Sequence, residues 1–256
     1  PPPPPPSIFY QAHAAIRDPL WSRGLGDVYK RQLVGDFGGG GMLLAFGVVC
    51  AVVEAQRSGQ GQVVDAAMVD GAASLMAMFH SMRALGVWND ERGTNLLDTG
   101  SHFYDVYECA DGRYISIGSI EPQFYSELLR ITEIDQSENP KQMDRAGWAE
   151  MKSKIGDAIK GKTRSEWEEL MEGTDVCFAP VLSMDEAYEH PHNKQRNTFI
   201  EIAGVMQPAP APRFSRTPAS VSSPPPHAGQ HTEEVLAGLG LTKDEILMLR
   251  EQNIIK

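Results

Sequence analysis

Cysteine is nearly absent from this chain of 256 residues: Cys50, Cys109 and Cys177 are odd in number, far apart and outside any CxxC pair. That pattern excludes a disulfide framework, and with no histidine at ligand spacing it suggests no metal site. Positive charge is scarce too. Lysine and arginine total 23 against 34 acidic residues, a net charge of -11. Such a surface cannot displace phosphate counterions as nonspecific nucleic-acid binding requires, so a polyanionic ligand would need a local basic pocket. Long hydrophobic runs are missing as well. The longest, Met42 to Val53, has 12 residues, short of the roughly 20 that cross a bilayer as a helix; it reads as a buried core helix with no membrane role. What the chain does hold is 41% hydrophobic residues, enough for one large domain or two small ones in a reducing, cytosol-like compartment.

Residues 1–32 stand apart from the rest. Six prolines precede SIFYQAHAAIRDPLWSRGLGDVYKRQ, with no sustained period of 2 or 3.6 and no apolar signal-peptide core. GDVYKRQ looks like translated adapter sequence, and the segment reads as a non-native or disordered leader without chemistry. From Leu33 a turn of glycines, Gly38 to Gly41, opens an apolar helix that closes at Arg57-Ser58-Gly59. Gln62 to Ala67 reads as a short buried strand and Val69 to Leu85 as a second helix, with Met76, Met78, Phe79 and Met82 as core residues. Phe103–Tyr107 and Arg113–Gly118, joined at Asp111-Gly112, give the clearest β-hairpin signal. Helical stretches follow near Gln123–Ile131, Trp148–Lys160 and Ser165–Glu172, the last with a capped start, then Met184–His190, Thr232–Gly238 and Thr242–Gln252. The expected organisation is α/β: a large-domain part over 33–86, a linker over 87–102, a small α/β domain over 103–200, a Pro-rich return linker over 201–226, and C-terminal helices over 227–256. Since a unit that leaves a domain and returns implies that its flanks belong together, the last helices are expected to pack on the large domain.

Two carboxylates stand where chemistry could occur. Asp36 precedes the glycine run, where a backbone free of side chains can approach a ligand and a helix N-terminus can face an oxyanion; an Asp there also serves as an N-cap. Glu121 lies between a strand and a helix, a place that holds functional side chains on a rigid frame, yet a first-turn Glu also favours the helix dipole. Spacing alone leaves both pairs of readings open. His190 and His192 have no partner cluster and read as loop residues. Arg213 and Arg216 fit a packing or ion-pair role as well as a phosphate, and Asp65 and Asp70 read as a strand end and an N-cap.

The stretches LVGDFGGGGM, SGQGQVVDAAMVDG, RGTNLLDTG, FYDVYECADGRY, IEPQFY, GTDVCFAPVL and PAPRFSRTP, in that order, resemble the α-methylacyl-CoA racemases of the family III CoA-transferases (CaiB/BaiF type). The resemblance runs from Leu33 to about Thr217. It implies a Rossmann-like large domain, of which this chain would hold the C-terminal part, and a small α/β domain, in subunits that interlock as homodimers. It also implies an acyl-CoA substrate whose α-proton leaves one face and returns on the other, a transfer that needs two acid/base groups and donors for the enolate. Asp36 matches the family's catalytic Asp, and Glu121 matches a Glu that orients the catalytic His. By the same likeness Phe37, Gly38, Gly39, Leu97 and Tyr104 are expected to line the substrate, with no metal and no cofactor beyond the CoA of the thioester. The catalytic His stands upstream of the Asp in the family, and here that position falls in the proline run. His13 has the wrong neighbours for the role. An N-terminally truncated chain without two-base activity is therefore expected. One rival reading is a CoA-transferase in which Asp36 forms a covalent intermediate; another is a non-catalytic, dimerising fragment. The chain ends Ile254-Ile255-Lys256, without a peroxisomal tripeptide, so a cytoplasmic location is expected.

Overall fold

The structure, a computed structural model, describes residues 31–255. The leader up to residue 30, His13 included, lies outside the described residues. The chain divides into two compact units: residues up to Asp105 with Gly118–Ile155, and Val106–Ile117 with everything from Gly156 onward. This division places the C-terminal helices with the second unit, whereas the sequence pattern groups them with residues 33–86.

In the first unit the glycines do not form a turn. A π-helix, Arg31–Met42, passes through them and continues without interruption into α1, Leu43–Ser58. Glycine costs a helix about 1 kcal/mol per residue relative to Ala, so four in a row call for compensation, and it comes from α2, Met68–Leu75. A Cβ added to Gly71 would lie 1.8 Å from the carbonyl oxygen of Gly39, one on Gly39 would lie 2.9 Å from Ala72 N, and one on Gly40 would lie 2.9 Å from Met68 Cγ. The glycines let two backbones touch. α1 ends on Gly59, left-handed at φ 74°, whose N–H reaches Ala55 O at 2.9 Å, the expected stop.

The burial expected for α1 is not found. None of its residues is buried; Phe46 is 67% and Val49 62% exposed, and only Gly47, Ala51 and Ala55 form a half-buried face. Composition made the helix apolar, but among the described residues only a short return segment covers it, with Val64 against Gly47. Because the glycines are helical too, Leu33–Ser58 is a run of 26 residues, long and apolar enough by itself to cross a bilayer. The expected strand at Gln62–Ala67 has no ladder partner among the described residues, and Val63 is 93% exposed. The expected helix over Val69–Leu85 breaks at Met76 into α2 and α3, Ala77–Ala84. Met76 and Met78 are exposed instead of buried, and Phe79 is half-buried, edge-on to Trp88 at 4.8 Å.

The core of this unit lies further along. α4, Pro122–Ile131, buries Tyr125, Leu128 and Leu129, spaced i, i+3, i+4. α5, Trp148–Ile159, presents Trp148 and Met151 at 5% and 0% exposure. Phe103 fills the space beside them, edge-on to both Tyr125 and Trp148 at 6.0 Å.

The second unit centres on a three-stranded sheet ordered β1-β2-β3: Tyr104–Glu108, Tyr114–Gly118 and Phe178–Val181. β3 runs antiparallel to β2, with Tyr114 opposite Val181 and Ile117 opposite Phe178. Ile115 and Ile117 alternate inward, and Gly112, at φ 73°, makes the hairpin turn that Asp-Gly predicts. α6, Arg164–Met171, starts at a Thr163–Glu166 capping box and buries Trp167 and Met171. α7, Met184–Glu189, and α8, Pro191–Arg196, lead to a second hairpin, β4 (Phe199–Ile202) and β5 (Val205–Pro208). Its turn residues Ala203 and Gly204 both have positive φ, as a two-residue hairpin turn demands. α9, Thr232–Gly238, and α10, Lys243–Glu251, close the chain.

Candidate active site

Asp36 sits inside the π-helix, with its side chain exposed. It is not an N-cap. The residue before α1 is Met42, in helical conformation and without a side-chain cap bond, so the capping alternative for Asp36 falls. Phe37 is 60% exposed beside it, whereas Gly38 is half-buried and Gly39 buried in the seam with α2. The N–H groups of these glycines belong to the helix's own ladder, which leaves them in a packing role here and not open to an oxyanion.

Glu121 is the N-cap residue of α4, extended at φ -71° and ψ 140°, with Pro122 at the first helical position and no side-chain cap bond. Its carboxylate is exposed at the positive end of the helix. Neither Glu121 nor Asp36 is hydrogen-bonded through its side chain to another described residue. The loop that holds Glu121 is nonetheless fixed: Gln142 Nε2 donates to Ser119 O at 3.0 Å and to Ile120 O at 2.8 Å.

Leu97 is half-buried in a loop built around Asp98. The Asp98 carboxylate accepts from Gly93 N at 3.0 Å, Asn95 N at 2.8 Å and Asn95 Nδ2 at 2.7 Å. Asn95, 1% exposed, also donates to Asn89 O and Glu91 O. Gly100 is obligatory, because a Cβ there would lie 2.4 Å from Asn95 O. The stretch read as a linker is thus an ordered loop, and RGTNLLDTG, dense in residues that bond their own backbone, carried that signal. Tyr104 opens β1 at 38% exposure.

One titratable group that sequence reasoning missed is tied to α4. His102 is fully buried, with Nε2 sharing a 2.9 Å hydrogen bond with the Tyr125 hydroxyl. Burial, helped by the charge of Lys152, pushes this imidazole down to about 4, and burial pushes the Tyr125 phenol up to about 12. Its neighbours Phe103 and Tyr125 are edge-on at 5.0 and 5.3 Å. His102 is neutral in its pocket, a core residue and not an acid/base group poised for neutral pH. In the second unit Arg213 Nη2 donates to Asn197 O at 2.9 Å, a packing role; His190 lies between α7 and α8, whereas His192, expected in a loop, stands inside α8.

The described residues therefore offer an exposed carboxylate on a glycine-packed helix with apolar surface around it, and, separately, a second exposed carboxylate on a pinned strand-to-helix loop. Residues 23–232 match the sequence profile of CoA-transferase family III. The α-methylacyl-CoA racemase of Mus musculus is 41% identical over 251 residues, and that of Homo sapiens 39%; each match covers 97% of this chain and 66% of the relative. The chain thus spans about two thirds of the length of these curated relatives. Succinyl-CoA–D-citramalate CoA-transferase of Chloroflexus aurantiacus is 26% identical over 223 residues, covering 82% of this chain and 55% of its own. Among solved structures, a CAIB/BAIF family protein from Brucella suis superposes with TM-score 0.62 at 20% identity, covering 78% of this chain and 54% of that one. A fold held in common with that protein and a profile matched over most of the sequence place this chain in CoA-transferase family III.

Proposed function

We propose that this chain carries the working carboxylates of an enzyme that racemises 2-methyl branched acyl-CoA thioesters. The observation that supports the reading most is the identity of 41% and 39% to two racemases across 97% of the chain, with Asp36 exposed where a substrate can reach it. The α-proton of a thioester is acidified by its carbonyl; Asp36 takes it or returns it on one face, and a second acid/base group does so on the other. Glu121, at the head of α4, orients that second group. Phe37, Leu97 and Tyr104, all at least partly exposed, fit an acyl contact better than the buried Gly39 does. CoA enters with the substrate and no other cofactor is needed.

In this reading the enzyme is a cytoplasmic, interlocked homodimer, and the partner covers the apolar surface that runs from Leu33 to Val87. The seam of α2 with the glycines argues for a packed helix at Leu33–Ser58 in place of a membrane span. The rival is a CoA-transferase using Asp36 as a nucleophile, to which relatives of 22% to 26% identity point. The two part in one experiment. Incubation with acyl-CoA and hydroxylamine leaves Asp36 unmodified in a racemase and converts it to a hydroxamate in a transferase, read by mass of the Asp36 peptide.

A further inference from the structure

Glu121 has no bond of its own to aim it, so its direction is set by the backbone that delivers it. β2 ends at Gly118 and α4 begins at Pro122, leaving Ser119, Ile120 and Glu121 to make the turn. Two successive carbonyls of this turn, Ser119 and Ile120, accept from one side-chain nitrogen, Gln142 Nε2, at 3.0 and 2.8 Å. Gln142 comes from 22 residues further along the chain and is 9% exposed.

The clamp is itself anchored. The carbonyl of Gln142 accepts the Trp148 indole N–H at 2.8 Å, and Trp148 packs edge-on against Phe103. Phe103 packs edge-on against Tyr125, one turn beyond Glu121, whose N–H donates to the Glu121 carbonyl at 2.9 Å. Tyr125 in turn is tied to buried His102. The contacts close a ring: Glu121, Tyr125, Phe103, Trp148, Gln142 and back to the loop. We infer that Gln142 is a positioning residue for Glu121, holding two carbonyls so that the carboxylate leaves the loop in one direction. The inference rests on the reading of Glu121 as an orienting carboxylate. Misplacement of such a group by about 1 Å can cost on the order of 100-fold in rate.

The test replaces Gln142 with Met, similar in length and without a donor, and with Glu, similar in shape but a repelling carboxylate near neutrality. Amide hydrogen exchange on the full chain is the first readout. Protection at residues 120–125 is expected to fall at least 10-fold in Gln142→Met with the rest of the chain unchanged. In Gln142→Glu it is expected to fall near neutrality and recover in acid, where the protonated side chain donates again. Turnover is the second readout, measured in whichever form exchanges the substrate α-proton: this chain, or one with residues 1–32 replaced by the N-terminal domain of the mouse racemase. There kcat is expected to drop 10- to 100-fold with KM within twofold, and the Glu121→Gln/Gln142→Met pair to be no slower than Glu121→Gln alone. Unchanged protection at 120–125, or additive losses in the double variant, overturns the role of Gln142. Full turnover in Glu121→Gln instead overturns the reading of Glu121, and the exchange result still decides whether Gln142 holds the loop.

Discussion

At the scale of single residues, the glycines decide where Asp36 stands. Gly71→Ala would drive a methyl group into the Gly39 carbonyl, and overpacking against backbone predicts a loss of about 2–3 kcal/mol. Gly35→Ala, with nothing within 4 Å of the added Cβ, predicts a gain of about 0.5–1 kcal/mol from helix propensity. Urea midpoints of the two variants check the pair, and equal effects would contradict the seam. His102 supplies a pH dependence. Its value falls from 6.5 to about 4 on folding, so the unfolded chain takes up a proton between those values and the folded chain does not. Stability is therefore lost as pH drops from about 6.5 to 4, by on the order of 3 kcal/mol from this group. His102→Gln removes that part of the slope, and urea midpoints from pH 7 to 4 are expected to converge between variant and parent. A constant gap would contradict it. Neither residue was legible in the sequence: a glycine in VDGAAS looks like any helix glycine, and a histidine between Ser101 and Phe103 gives no sign that a tyrosine 23 residues later will bond it.

At the scale of elements, the legible parts are those with local chemistry. The Asp-Gly hairpin, the α-helix stop at Gly59 and the helices from Pro122 onward, α8 excepted, follow from turn residues, caps and period. α6 is an example: the Thr163–Glu166 box that starts it predicts that Thr163→Ala lowers stability by about 1 kcal/mol, seen as a lower urea midpoint. The same helix carries an ion cluster that local reading could not find. Arg164, 6% exposed, donates to Glu186 at 2.7 and 3.1 Å and to Val181 O at 2.9 Å, with Glu168 2.9 Å from its Nε. The guanidinium and the Ser183 N–H hold the Glu186 carboxyl down to about 2. Its contribution is present above the ordinary carboxylate range, from 4.5 upward, and is lost as pH falls from 4.5 to 2. Two of the failures at this scale share one cause. A strand at Gln62–Ala67 and burial along α1 both need a partner surface, and pattern alone cannot say whether one is there.

At the scale of the whole molecule, motif order reached the family where composition could not. Seven stretches spread from Leu33 to about Thr217 agree with a profile match over residues 23–232. The exposed apolar surface between Leu33 and Val87 is of an extent that is rare on solitary soluble proteins.

The central claim, that Asp36 moves the α-proton of an acyl-CoA, is tested most directly by one measurement. A single enantiomer of a 2-methylacyl-CoA is incubated in D₂O, and deuterium at the α-carbon and inversion of configuration are followed together. The comparison is between this chain, the form with residues 1–32 replaced by the mouse racemase N-terminal domain, and Asp36→Asn in each. The account predicts deuterium uptake with inversion in the form that carries the mouse N-terminal domain, abolished by Asp36→Asn. Uptake that survives Asp36→Asn, or acyl transfer to an added carboxylic acid without uptake, would contradict it.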